Sequence, residues 1–152
     1  MIEKNDLKNA FAKTLRDARY VKKSDSWYMP GEEAIVVVNL QKSDHGNYYY
    51  LNTGICLKAL SDESFLKVNK CHIQISANNL AIDRHSLDKG LNLEEGNSED
   101  LAASMQVVGE QVLPKLSEFL SLSQLREHYK KSSFKAALMF WQARELLEMQ
   151  NE

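Results

Sequence analysis

Apolar residues recur at Leu7, Phe11, Leu15 and Ala18, a spacing that puts them on one side of a helix. It predicts an amphipathic helix over about residues 6–19, with Asn5 and Asp6 as N-terminal caps. The period then changes. After the basic turn VKKSDS come WYM, the Pro30-Gly31 break and the run AIVVV, which predict a short strand, a turn and a longer strand. The segment KSDHGN separates VVVNLQ from YYYLNTGICLKAL and supplies Asp, Gly and Asn for a hairpin turn, so these two strands should pair antiparallel. In KCHIQIS, residues 70–76, apolar Cys71, Ile73 and Ile75 alternate with polar His72, Gln74 and Ser76, the pattern of a half-buried strand in the same sheet.

The second half of the chain reads differently. Residues 83–97 are polar, acidic toward their end and broken by glycines, which predicts a surface connection. Ser98, Glu99 and Asp100 suit a helix start, and Leu101, Met105, Val108, Val112, Leu116 and Phe119 trace one helical stripe. Pro114 must end, kink or restart that helix near Leu113. The tail SSFKAALMFWQARELLEMQ spreads Phe134, Ala137, Leu138 and Trp141 around a further helix that should dock on the sheet or on another subunit. These patterns predict one α+β domain over residues 1–152: an N-terminal helix, an antiparallel sheet of about four to five strands, then C-terminal helices packed on one sheet face. Its strand-rich part spans residues 25–82, its polar connection 83–97 and its helical part 98–150.

Composition narrows the chemistry. With 152 residues, 43% of them hydrophobic, the chain can bury one core. Its net charge of −2 offers no basic surplus for a phosphate backbone, so no nucleic-acid partner is expected. Apolar runs such as AIVVV are far shorter than the roughly 18 residues of a membrane span, and no membrane partner is expected either. The N-terminus MIEKNDLKNAF is charged where a secretory signal has its apolar segment, and two cysteines build no disulfide framework. Both features predict a cytoplasmic protein with reduced thiols, either a monomer or a weak homodimer.

Strand parity assigns the sheet faces, because residues two apart point the same way. Tyr49, Leu51, Ile55, Leu57 and Ala59 form an apolar face, and Val36, Val38 and Leu40 join it from the preceding strand. The opposite face collects Asn39, Gln41, Tyr50, Asn52, His72 and Gln74, the candidate binding surface. An antiparallel sheet commonly leaves one face to water, but asparagine is a poor strand former and a solvated strand more often carries Thr, Lys or Glu. Amides and phenols recognise a partner through hydrogen bonds without bringing charge, so the set points to binding ahead of acid-base chemistry. The amides of Asn39 and Asn52 could instead brace a loop or a helix end within the fold.

Other chemistry has less support. His45, His72, His85 and His128 are scattered and no C-x-x-C or H-E-x-x-H spacing occurs, so no metal site is expected. No glycine-rich phosphate loop or G-x-S-x-G elbow appears, and no cofactor is expected. Adjacent Cys71 and His72 should point to opposite faces, while Cys56 and His72 could share the polar one. That leaves one enzymatic alternative, a small hydrolase using Cys56 or His72 with Tyr50 and Asn52; a buried cysteine is more often a small hydrophobe.

The block GEEAIVVVNLQKSDHGNYYYLNTGICL, in which VNLQKS precedes a glycine and an aromatic cluster before LNTGI, resembles a bacterial family of domains of unknown function, the one numbered 4304. RYVKKSDSWY resembles its helix-to-strand entry and KCHIQI its later Cys-His strand. The resemblance covers residues 7–77, with the helices that follow contributing weakly. Where the family often places an arginine after the Cys-His pair, this chain has Gln74 and Ser76, which weakens any charged site built around that strand. The resemblance implies no reaction, substrate or cofactor. Small domains of this kind resemble immunity or accessory proteins that bind a cognate toxin or another protein, an analogy at the level of fold and family. The expectation is therefore a non-enzymatic bacterial binding protein that recognises a partner protein through the polar sheet face or the acidic segment 88–100.

Overall fold

The computed structural model describes residues 1–149. The expected helical span reaches residue 150, which lies outside the described residues together with 151 and 152. Helix α1 (Lys4–Asp17) buries Leu7, Phe11 and Leu15. Glu3 occupies its N-cap without a side-chain bond, so Asn5 and Asp6 sit inside the first turn, where the Asp6 carboxylate complements the helix dipole.

Six strands follow in antiparallel sequence order: β1 (Val21–Lys23), β2 (Ser26–Pro30), β3 (Ala34–Lys42), β4 (Tyr49–Leu57), β5 (Ile73–Ser76) and β6 (Leu138–Met139). The sheet is wider than the expected four to five strands at both edges. The segment read as a basic turn is β1, which folds back on β2 through Ser24 at φ 60°. The tail read as one helix first makes β6, pairing Met139 with Ile73 and Leu138 with Gln74. Only then does α6 (Trp141–Glu148) begin.

Between β5 and β6 the chain is helical. The polar connection contains helix α2 (Arg84–Leu91), capped by Asp83 accepting from the Ser86 N–H and buried through Leu87, Gly90 and Leu91. Helix α3 (Ser98–Val107) starts at Asn97 in a reciprocal capping box with Asp100. Pro114 has no N–H to continue an α ladder. The chain answers with a π turn over Val108–Val112, whose Leu113 N–H reaches Val108 O, and restarts as α4 (Leu113–Leu116). Helix α5 (Leu122–Lys130) and α6 complete the order. The whole stripe from Leu101 to Phe119 is buried.

The main core lies between the helices and one sheet face, with Val36, Val38, Leu51, Ile55, Leu57, Ile73 and Ile75 packed against Leu7, Phe11, Val112, Leu116 and Phe119. Ala59 lies beyond β4 and is exposed. A smaller core covers part of the other face: Tyr28, Ile35, Val37 and Cys56 from the sheet meet Leu66, Val68 and Cys71 from the β4–β5 loop. Buried on both sides, residues 34–38 show an apolar run rather than alternation. No helix among the described residues is long and apolar enough to cross a membrane.

Candidate functional site

The pairing register fixes which polar side chains meet. Asn39 stands opposite Asn52, and Asn52 opposite Ser76, so these three form one row across β3, β4 and β5. Gln41 opposes Tyr50 in the row beyond, and Gln74 opposes Gly54 in the row on the other side. Directly opposed side chains in an antiparallel pair are neighbours, about 5 Å apart at Cβ. The sheet thus assembles amides from three strands on the face away from the helices.

The β4–β5 loop turns this face into a hollow. Its residues 66–71 lie over the sheet at Gly54, where an added Cβ would stand 2.8 Å from Cys71 Sγ and 3.4 Å from Val68 Cα. Beside that cover opens a depression of about 590 Å³, lined by Asn39, Gln41, Asn52, Gln74 and Ser76, with Lys67, Val68 and Asn69 as its loop wall. Asp25 and Lys67 form an ion pair at the rim. Hydrogen bonding to Lys67, and secondarily to Ser26, holds the Asp25 carboxyl below the ordinary carboxylate range. With those two charges paired to each other, the hollow presents amides and a hydroxyl.

Several of these groups are oriented by the fold. Asn52 Nδ2 donates to Gln41 Oε1 at 2.8 Å, and Gln74 Nε2 donates to the Cys71 carbonyl at 3.0 Å. Asn39 Oδ1 is shut from solvent and has no hydrogen-bond partner. An unsatisfied buried acceptor costs about 1–3 kcal/mol, so the amide set is not fully consumed in bracing the fold. Each primary amide offers two donors and an acceptor, so this surface matches a ligand that alternates donors and acceptors.

His72 does not join the set. It precedes β5, is 8% exposed, and its Nδ1 accepts from the Leu57 N–H at 2.8 Å while its ring meets Phe140 edge-on. The expected strand over residues 70–76 begins only at Ile73, because Val68–Lys70 form a 3₁₀ turn that carries Cys71 into the smaller core. Tyr50 shares the face but stands outside this hollow, against Tyr48. Cys56 is buried beneath the loop with Cys71, and neither it nor His72 lines the depression. The thiol and imidazole of the enzymatic alternative are thus set apart from Asn52. Among the described residues no three His, Cys, Asp or Glu side chains converge on a metal position.

Burial lowers the His72 pKa below its ordinary value, which keeps the ring neutral and Nδ1 free to accept. In the unfolded chain the ring takes its proton as pH falls through about 6.5, so below that value the unfolded state binds more protons than the folded one. The stability is complete above this value and declines as pH falls beneath it. The thermal midpoint of wild type should therefore drop more steeply from about pH 7 to pH 5.5 than that of His72→Gln, which keeps an acceptor but does not titrate. Parallel profiles would remove His72 as the cause.

Sequence reasoning placed Asn39, Gln41, Asn52 and Gln74 correctly on one face. It missed Ser76 as the third member of the central row and Asn69 in the wall. Ser76 was visible as the next same-parity residue after Gln74; Asn69 carried no signal, because loop packing alone brings it there. A family model described as a domain of unknown function (DUF4304) matches residues 11–118. The match runs past β5 and through α4, farther than the residues that carry the resemblance. No curated protein and no solved structure matches the chain.

Proposed function

The chain belongs to the DUF4304 family, whose name assigns no activity, and we propose from its own geometry that it is a non-enzymatic binding protein that holds a partner protein at the amide-lined hollow. The observation that carries this reading is the convergence of Asn39, Gln41, Asn52 and Gln74 from three strands on one depression, with Asn39 Oδ1 left without a partner inside the fold. A polar segment inserted from a partner exchanges hydrogen bonds with the amides of Asn39, Gln41, Asn52 and Gln74 and with the Ser76 hydroxyl. The paired rim charges leave the hollow suited to an uncharged segment. Within this reading the chain is a bacterial immunity or accessory protein of the cytoplasm. Its two free, buried thiols are compatible with a reducing compartment.

Affinity capture with the chain as bait tests the proposal against a paired control. Wild type and Ile82→Ser, altered at a side chain 90% exposed and outside the hollow, should retain the same specific partner. The Asn39→Ala/Gln41→Ala/Asn52→Ala variant should lose it while staying folded by circular dichroism. Truncated hot-spot residues each cost about 2 kcal/mol or more, so even partial additivity lowers capture by over a hundredfold. Equal capture by all three proteins would contradict the proposal.

A further inference from the structure

A second depression, of about 460 Å³, adjoins the first and shares Ser76 with it. Its lining includes Tyr48, Tyr50, Asn78, Asp88 and Asn92, with Tyr48 and Asn92 joined by a β-bridge. Tyr48 and Tyr50 meet edge to face, their ring centroids 5.5 Å apart at 84°, and Tyr50 is 44% exposed. From the shared residue a relay runs along the wall: Ser76 Oγ donates to Asn78 Oδ1 at 2.6 Å, and Asn78 Nδ2 donates to Asp88 Oδ1 at 2.6 Å. The relay fixes the carboxylate. Asp88 is the one charged side chain in this lining, and among the described residues no Lys, Arg or His pairs with it.

A fixed carboxylate and an aromatic pair lining one concave site select by charge and shape. An anion would be repelled by Asp88, and an apolar side chain would strip the carboxylate of water without replacing its hydrogen bonds. A guanidinium suits both groups, because its planar fork donates to a carboxylate and its face stacks on a phenol ring. A lysine ammonium has the charge but lacks the plane. Resting on the reading of the first hollow as a partner site, we propose that this second depression receives an arginine side chain of the same partner segment. The amide hollow then reads the uncharged part of the segment, and Asp88 with Tyr50 reads the cation beside it.

The test needs no knowledge of the partner. The chain, labelled for backbone amide NMR, is titrated with N-acetylarginine amide and separately with the isosteric, uncharged N-acetylcitrulline amide. Saturable shifts are expected at residues 48–50, 76–78 and 88–92 with the arginine compound alone, weakening as salt is raised. Tyr50→Ala should weaken this binding about two- to fivefold, the range of a cation–π contact at an exposed site. Asp88→Asn, which keeps the shape and the bond from Asn78, should weaken it about tenfold or more, as expected for loss of a charge-assisted pair. No saturable shift, or equal shifts from the two compounds, would overturn the arginine assignment. The triple amide variant tests the first hollow independently, so the two failures are distinguishable.

Discussion

Gly90→Ala is expected to unfold at a markedly lower urea concentration than wild type, by the equivalent of about 1–3 kcal/mol. Gly90 sits where α2 crosses α3, and a Cβ there would stand 2.2 Å from Ser104 Cβ and 2.5 Å from the Asp100 carbonyl oxygen. One of these is backbone and the other the root of a buried side chain, so neither can swing aside. Separating the helices also strains the bond from Ser104 Oγ to the Leu87 carbonyl, 2.7 Å long and buried. Overpacking costs about 1–3 kcal/mol and the weakened bond about 1 more, against roughly 1 kcal/mol returned by alanine's higher helix propensity. Urea unfolding with an unchanged slope isolates the stability change. A midpoint equal to or above wild type would mean that the α2–α3 contact is looser than described.

Gly54→Ala should have the second large effect, and this one reaches the binding surface. Its added Cβ would meet Cys71 Sγ at 2.8 Å and Cys71 Cβ at 2.9 Å. Cys71 is wholly buried, so relief requires the loop backbone to lift from the sheet. The expected loss is about 1–3 kcal/mol. The same displacement moves Lys67, Val68 and Asn69, the loop wall of the hollow, so partner capture should fall although none of the amides is changed. Cys71→Ala in the same chain removes the nearer of the two contacts and should recover part of the stability, a coupling of about 0.5 kcal/mol or more between neighbours. Additive losses would show that Gly54 and Cys71 do not press on each other.

The candidate surface was legible because strand parity has a period of two and survives errors in strand ends. Asn39, Gln41 and Asn52 needed only the hairpin to be right. His72 needed the start of a strand to be right, and strand ends are set by tertiary packing: the turn over residues 68–70 tucks Cys71 and His72 into cores on either side of β5's entry. Helix α2 was hidden by composition. Its sequence RHSLDKGL, mostly polar and carrying a glycine, reads as surface, while its signal is short, an Asp83 cap followed by Leu87 and Leu91 one turn apart. Strands β1 and β6 are three and two residues long, too short for alternation to show, and exist through pairing with β2 and β5. Nothing local in residues 58–72 announces that they cover the outer sheet face. Gly54 opposite Val37 was the one hint, since a glycine within a strand marks a close approach.

The hollow and its neighbour give the two strands of VVVNLQ and YYYLNTG complementary roles. Their odd and even positions separate a packed core from a hydrogen-bonding surface, and Tyr50 carries that surface on toward Asp88. The most direct measurement follows the side-chain amide protons of the captured complex by NMR. The account predicts that the NH₂ resonances of Asn39, Gln41, Asn52 and Gln74 shift on partner addition, while those of Asn5 and Asn9 in α1 stay in place. Shifts at Asn5 and Asn9 with the four sheet amides unmoved would contradict it.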